Sequence, residues 1–440
     1  MTAEEIRKMV REAGVVGAGG AGFPTDVKLD AGVELIIVNG AECEPLLRVD
    51  QELMEKKTAA LLKGLDYACQ AVGTSRAVIA LKGKYKKAII KLKKNIKDYS
   101  NFSIHELPDF YPAGDEQQIV YEVTGKIIPE GGIPLAAGTV VINVETLINV
   151  NKAVAGLPVT HKYVTISGEV KKPVTVLVPV GTIIKDILPL AGGTTIEEYS
   201  LIDGGPMMGK LVVEGDVVQK TTKGILVLPR NHSIINNRTT LLTSLIRRAM
   251  SACCQCRACT DICPRYLLGH SLEPHKLMRA ISYGIDTDSD LITQAVLCCE
   301  CGACDTWGCP MGLSPRTINM QLKEELAKNN YKNTHNRSIE QTHSMREYRK
   351  IPVKRLIKRL GIADYDQSAP IIENDFNPEK IIIPMKQHIG APAVPVVNLG
   401  NSITVGQLIA SKPEDSLGAN IHSGINGVVK MLGDSIIIER

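Results

Sequence analysis

The chain opens with apolar residues set three and four apart. Ile6, Met9 and Val10 fall on one face of a predicted short helix over residues 3 to 12, which runs into a glycine-rich string. A strand-like run, Val33 to Val38, follows. Helical and strand periods then alternate to about residue 150, through Met54 to Val72, Arg76 to Leu81 and the lysine-rich Lys86 to Lys97. This alternation predicts a layered α/β domain over residues 1–158. From Lys162 to Leu228 the texture changes to short β-branched runs, Tyr163 to Ile166, Val174 to Val178 and Leu211 to Val218, broken by Gly168, Pro173, Gly181 and Gly204-Gly205-Pro206. A small β-rich domain over residues 159–235, with one short helix near Ile183 to Leu188, fits that pattern. Residues 244–328 read as helical around two cysteine runs, with helices predicted at Pro274 to Tyr283 and Leu291 to Leu297. A basic linker, 329–372, then leads to residues 373–440, whose short strands and recurrent glycines predict a small β-sandwich or half-barrel.

Those cysteine runs carry the strongest chemistry. Eight of the twelve cysteines form Cys253-x2-Cys256-x2-Cys259-x3-Cys263-Pro264 and Cys298-x2-Cys301-x2-Cys304-x4-Cys309-Pro310. A cubane iron–sulfur cluster takes three thiolates from one tight C-x2-C-x2-C turn and a fourth from elsewhere. In two-cluster ferredoxins the last cysteine of each run ligates the other cluster. Cys253, Cys256, Cys259 and Cys309 are therefore assigned to one [4Fe-4S] cluster, and Cys298, Cys301, Cys304 and Cys263 to the other. Paired C-x2-C units also build zinc ribbons, but zinc would leave the third cysteine of each triplet unused. Cys254 and Cys299 lie off the ligand spacing and read as bystanders. Cys43 and Cys69 read as ordinary thiols.

Length and charge narrow the class. At roughly 150 residues per domain, 440 residues imply about three domains or more. A net charge of +4 with acids and bases nearly balanced does not call for nucleic acid, and scarce aromatics argue against a single-strand stacking surface. No signal-peptide pattern starts the chain. The longest apolar region, Ile127 to Val150, is broken by Pro129, Gly131, Gly132, Pro134 and Gly138, so no transmembrane segment is expected. Thiols kept as cluster ligands need a reducing compartment, which points to a cytoplasmic location.

Gly17, Gly19 and Gly22 spell G-x-G-x-x-G, with Glu42 or Glu44 about 20 residues on. A dinucleotide fold would need a strand before that loop and a helix after it, whereas a helical segment precedes it and Phe23-Pro24 follow. The glycines still let backbone amides approach a phosphate, and Lys28 is near enough to add charge. A plain glycine turn is the bland alternative.

Four motifs in order resolve this. Gly17-x-Gly-Gly-x-Gly-Phe-Pro-Thr25, Asn39-Gly-Ala-Glu-Cys-Glu-Pro45, Tyr111-Pro-Ala-Gly-Asp115-Glu116 and Asn143-Val-Glu-Thr146 resemble the flavin- and NADH-binding subunit of respiratory complex I, and more closely its RnfC-like relatives. The resemblance implies a multidomain α/β architecture: a complex I flavoprotein-like FMN domain, a β-grasp (SLBB) domain, a helical two-cluster ferredoxin domain and a C-terminal barrel-sandwich, biotinyl-like module. It also implies FMN held by Gly17, Gly19, Gly20, Gly22, Lys28, Asn39, Glu42, Asp115, Glu116 and Asn143, with NADH as electron donor. Two departures stand out: Ile142 replaces the first of two asparagines, and the acidic pair is Asp115-Glu116 where complex I has two glutamates.

The later motifs, Ser167-Gly168-Glu169-Val170, Gly204-Gly205-Pro206-Met207-Met208-Gly209, Gln387-His388-Ile389-Gly390-Ala391-Pro392 and Gly418-Ala-Asn-Ile-His422, extend the likeness. A barrel-sandwich module at the C-terminus is similar to the order in cobalamin reductases of propanediol-utilisation microcompartments. That likeness implies a route from NADH through FMN and two [4Fe-4S] clusters to cobalamin or another acceptor, without an essential acid–base residue. It names an adenosyltransferase and microcompartment shell proteins as candidate partners, and a microcompartment interior as a candidate location. FMN suits the role because a hydride delivers two electrons together and a cluster accepts one. The rival reading is a non-catalytic, ferredoxin-like subunit serving another reductase or a membrane complex. The lysines around Ile89 and Leu92, and the run Lys350 to Arg359, read as solvated helix faces or as docking surfaces for an acidic partner. His388 and His422 read as local structural residues, with ligation of corrin cobalt as the alternative.

Overall fold

The computed structural model describes residues 1–283 and 289–440. The N-terminal layer runs α1 (Ala3–Glu12), α2 (Thr25–Lys28), β1 (Leu35–Gly40), α3 (Val49–Lys56), α4 (Thr58–Val72), β2 (Ala77–Lys82), α5 (Lys86–Asn95), β3 (Phe102–Leu107), β4 (Phe110–Tyr111), α6 (Glu116–Thr124), β5 (Thr139–Asn143) and α7 (Val144–Val154). Four of these strands form a parallel sheet in the order β3-β2-β1-β5. Strand β1 is apolar on both faces because both are covered. Ile36 and Val38 enter a core with α1, α4, α5 and α7, while Leu35 and Ile37 enter a second core with Ile119 and Val120 of α6.

The single helix expected over Met54 to Val72 is two, parted at Lys57, whose φ of −122° and ψ of 28° are not helical. Helix α4 stops at Gly73, in the left-handed region at φ 76°. The lysine-rich helix buries Ala88, Ile89 and Leu92 and turns its lysines outward.

The second unit holds β6 (His161–Gly168), β7 (Val174–Pro179), β8 (Tyr199–Asp203), β9 (Lys210–Val212) and β10 (Gly224–Pro229) in the order β7-β6-β10-β8-β9. A short helix, Ile184–Ile187, packs Ile184 and Ile187 onto Val164, Val176 and Ile225. The strand expected from Leu211 to Val218 ends at Val212. Beyond it the chain bends back to the loop before the helix, where Val218 donates to the Thr182 carbonyl and accepts from the Gly181 amide, both at 2.8 Å.

The cysteine region is helical at Leu242–Ala252, Pro274–Tyr283 and Pro315–Lys328, around a core of Leu272, Leu277, Met278, Leu297 and Ile318. The 329–372 segment is stitched to the first unit. Ile351–Pro352 pairs antiparallel with β4, and Val353, Leu356 and Ile357 of the following helix are buried. Arg346 is buried too, donating to Glu122 at 2.6 Å and Gln118 at 2.8 Å. The apolar side of the run Lys350 to Arg359 is thus occupied within its own chain, while Lys354, Arg355, Lys358 and Arg359 stay exposed. The C-terminal unit is a sandwich of a four-stranded and a three-stranded sheet around Ile381, Ile383, Ile409, Ile436 and Ile438. Among the described residues, no helix is long and apolar enough to cross a membrane.

Candidate functional site

The glycine loop lies between α1 and α2, closed by a bridge from Val16 to Pro24 and by a bond from the Gly17 amide to the Phe23 carbonyl at 2.9 Å. Gly20 and Gly22 adopt φ of 65° and 69°, which side-chain-bearing residues rarely tolerate. A Cβ on Gly20 would meet open space, whereas one on Gly22 would lie 2.7 Å from Thr221 and 2.8 Å from His388. The loop therefore has one free face and one packed against later parts of the chain. Ala18 anchors it, donating to Thr146 Oγ1 at 2.9 Å and accepting from Lys162 Nζ at 2.8 Å.

The two candidate asparagines are brought side by side. Asn39 of β1 is in register with Asn143 of β5, at the carboxyl ends of parallel strands where open α/β sheets bind ligands. Asn39 donates to the Gly114 carbonyl at 2.8 Å and so ties its own motif to Asp115 and Glu116. Asn143 caps α7, accepting from the Glu145 amide at 2.9 Å, and donates to Asp50 at 2.9 Å. Ile142 instead sits in the main core at 2 % exposure.

Glu42 is buried at φ 36°, where its carboxylate accepts the amides of Asp50 and Gln51 at 2.9 and 3.3 Å, at the start of α3. Burial first, and the charge of Asp50 second, push its carboxyl up to about 7, against the pull of Lys223. Lys223, from the second unit, pairs with Asp50. Asp50 keeps one buried oxygen without a partner. Behind them Glu145 pairs with Lys162, both almost fully buried. Lys28 pairs with Glu116 at 3.0 Å on a more open rim. Asp50, Lys223, Glu145 and Lys162 escape a motif reading because isolated acids and lysines carry no spacing signal. Only the fold gathers them.

Asp115 caps α6, accepting from the amides of Gln117 and Gln118, and its carboxylate receives the Arg265 guanidinium in a two-pronged pair at 2.5 and 2.9 Å. Gln118 donates to the Pro264 carbonyl at 2.9 Å, and the buried Tyr111 hydroxyl donates to the Cys301 carbonyl at 2.6 Å. The candidate flavin motif thus touches the cysteine region directly.

Cys253, Cys254, Cys256, Cys259 and Cys309 line one hollow, with Arg257, Pro310 and Met311 at its edge. The four thiols that the crossed assignment puts together are among them. Cys263 is close enough to Cys299 and Cys298 for their charges to interact, and Cys304 to Cys298 and Cys263, so the second set is also drawn together, with Cys299 beside it. Burial raises the Cys259 thiol to about 12 and pushes Cys263 up as well. Bare thiols are therefore held neutral, and thiolates here need a compensating cation. Cys299 is half-buried beside Cys301 and Arg265, while Cys254 is exposed. Eight thiols in two groups suit two cubanes, and the open-faced glycine loop with nearby lysines suits a flavin phosphate.

His388 and His422 flank Lys220, a buried lysine whose Nζ donates to the carbonyls of Gly14 at 2.7 Å and Asn420 at 2.6 Å. Burial lowers Lys220 to about 7, and burial followed by the charge of Lys220 lowers His422 to about 4.

Comparison with known proteins matches four families along the chain. They are the Nuo51 FMN-binding domain at residues 10–152, the SLBB domain at 163–211, a 4Fe-4S dicluster domain at 252–314 and the RnfC barrel sandwich hybrid domain at 364–439. The chain is 44 % identical to cobalamin reductase PduS of Salmonella typhimurium, over 99 % of this chain and 96 % of that protein. It is 43 % identical to cobalamin reductase PduS of Citrobacter freundii over the same shares. One component of the Na(+)-translocating ferredoxin:NAD(+) oxidoreductase complex from Acetobacterium woodii is 36 % identical over 61 % of this chain and 59 % of its own. An NAD+-reducing [NiFe]-hydrogenase chain aligns in structure with a TM-score of 0.49 and 22 % identity, over 74 % of this chain and 61 % of that one.

Proposed function

The chain belongs to the PduS cobalamin reductase family and is an oxidoreductase, and from that premise we propose that it carries electrons from NADH through FMN and two [4Fe-4S] clusters to the corrin cobalt of cobalamin. The reading rests above all on likeness along essentially the whole chain to cobalamin reductases, joined to a flavin-type motif that contacts a cysteine run. When bound, FMN supplies conversion of a two-electron hydride into single electrons for the clusters.

The chain's own residues position and insulate. Gly19, Gly20 and Gly22 offer backbone amides to the phosphate, Gly17 shapes the loop through its bond to Phe23, and Lys28 adds charge. Asn39, Glu42, Asp115, Glu116 and Asn143 frame the rest of the site at the strand ends. Cys253, Cys256, Cys259 and Cys309 hold one cluster, and Cys298, Cys301, Cys304 and Cys263 the other. In this reading the residues divide into an FMN/NADH domain at 1–158, a β-grasp domain at 159–235, a two-cluster domain at 244–328 and a barrel-sandwich module at 373–440. A microcompartment interior, with an adenosyltransferase taking over the reduced cobalt, completes the proposal.

The test is anaerobic spectroscopy of the reconstituted protein with NADH and cob(III)alamin. NADH bleaches the flavin, and the cobalt spectrum changes. If the flavin bleaches but cobalt does not respond, the acceptor is another molecule. If the protein takes up no FMN and does not oxidise NADH with an artificial acceptor, it is the ferredoxin-like subunit of the rival reading.

A further inference from the structure

Asp115 and Arg265 lie 150 residues apart, yet they form a nearly buried, two-pronged ion pair between the flavin-type motif and the residues after Cys263. The guanidinium that binds Asp115 also interacts with the charges of Cys263 and Cys299. Two further bonds converge there: Tyr111 to the Cys301 carbonyl, and Gln118 to the Pro264 carbonyl. Cys43, in the Asn39 to Pro45 motif, packs in the same apolar cluster as Tyr111, Cys299 and Cys301.

The other set of thiols lies nearer the surface, although Cys259 is itself buried. Cys256 is exposed, and the hollow it shares with Cys253, Cys259 and Cys309 is edged by exposed Pro310 and Met311. The two sets adjoin, because the helical turn Cys304–Gly308 packs against Ala258–Asp261, so closely that a Cβ added at Gly308 would lie 3.1 Å from Cys259 Cα.

We propose that the cluster on Cys263, Cys298, Cys301 and Cys304 receives electrons first, that the cluster on Cys253, Cys256, Cys259 and Cys309 delivers them to the acceptor, and that Arg265 is the positioning residue that fixes the first cluster against the flavin side and tunes its potential. This order rests on the proposed route from NADH. Each hop moves one electron: the first cluster is reduced as the donor side is oxidised, then reoxidised as the second is reduced. A positive guanidinium beside the first cluster favours its reduced, more negative form.

Two measurements test the proposal. In Cys256→Ala the remaining cluster is still reduced by NADH in freeze-quench EPR. In Cys301→Ala NADH still bleaches the flavin, but the remaining cluster responds only to dithionite. Reduction of the remaining Cys301→Ala cluster by NADH at the wild-type rate, or its failure in Cys256→Ala, overturns the order. EPR-monitored redox titration then reads Arg265→Gln and Asp115→Asn, which keep every cysteine. The first variant lowers, and the second raises, the potential of the signal that Cys301→Ala abolishes. Shifts of the same sign, or on the other signal, overturn the role of Arg265. Flavin bleaching in the wild type separates these outcomes from failure of the NADH reading itself.

Discussion

Glu42 shows how one carboxyl can couple folding to pH. It holds its proton to about pH 7 in the fold, against the ordinary 4.5 when unfolded. In the intervening window the folded chain binds more protons, so stability falls as pH rises from about 4.5 to 7 and levels off above that. Glu42→Gln, which stays neutral and keeps one acceptor for the α3 amides, should lose this slope. The difference between its melting temperature and that of the wild type, followed from pH 4.5 to 8, checks the point. The sequence made Glu42 visible through its Asn-Gly-Ala-Glu motif. It could not show Asp50 and Lys223, whose meeting with Glu42 depends on contacts between different units. Arg265 was hidden for the same reason, although it stands two residues from Cys263, a candidate ligand that the spacing made visible.

Elements were readable wherever apolar period and punctuation agreed. Helix Pro274–Tyr283 and strand β7 fall where the pattern put them, because the helix's buried residues recur at helical spacing and β7 is a short β-branched run buried almost throughout. The run from Leu211 to Val218 misled: its β-branched residues serve loop contacts, and only Val218 is fully buried in the second unit's core. The 329–372 stretch read as a linker because its few apolar residues are scattered among charges. Its attachment is remote in sequence: Ile351, Val353, Leu356 and Ile357 join an apolar cluster with Tyr111, and Arg346 and Lys350 reach Glu122 of α6 at 2.6 and 2.9 Å. Arg346→Ala leaves Gln118 short of a donor but leaves Glu122 paired with Lys350, so a cost of about 1–3 kcal/mol is expected. Removing Lys350 as well strips Glu122 of both partners. The double variant should therefore lose more stability than the two single losses added together, as a double-mutant cycle on thermal unfolding would show. Strict additivity would mean that the two cations act independently.

At the scale of the whole molecule, Lys220 joins three units, bonding to Gly14 of the first and Asn420 of the last from its place in the second. The module also reaches the glycine loop through the Ile389 amide, which donates to the Ala21 carbonyl at 2.9 Å. Lys220 titrates near 7 in the fold and near 10.5 when unfolded, so the unfolded chain binds more protons between those values and stability rises with pH across them. The wild type should gain on Lys220→Met as pH climbs from 7 to about 10, measured as a widening gap in melting temperature. A constant gap would remove Lys220 as the titrating group. Domain order was readable from texture and motif, but this three-way junction was not, since a lone lysine in Gln219-Lys220-Thr221 gives no sign of burial.

The account as a whole depends on iron–sulfur clusters serving a flavin. Anaerobic purification followed by iron, acid-labile sulfide and flavin analysis of one sample tests it most directly. About eight irons, about eight sulfides and about one FMN per chain are expected for two cubanes beside one flavin. A colourless protein carrying zinc in place of iron would contradict it.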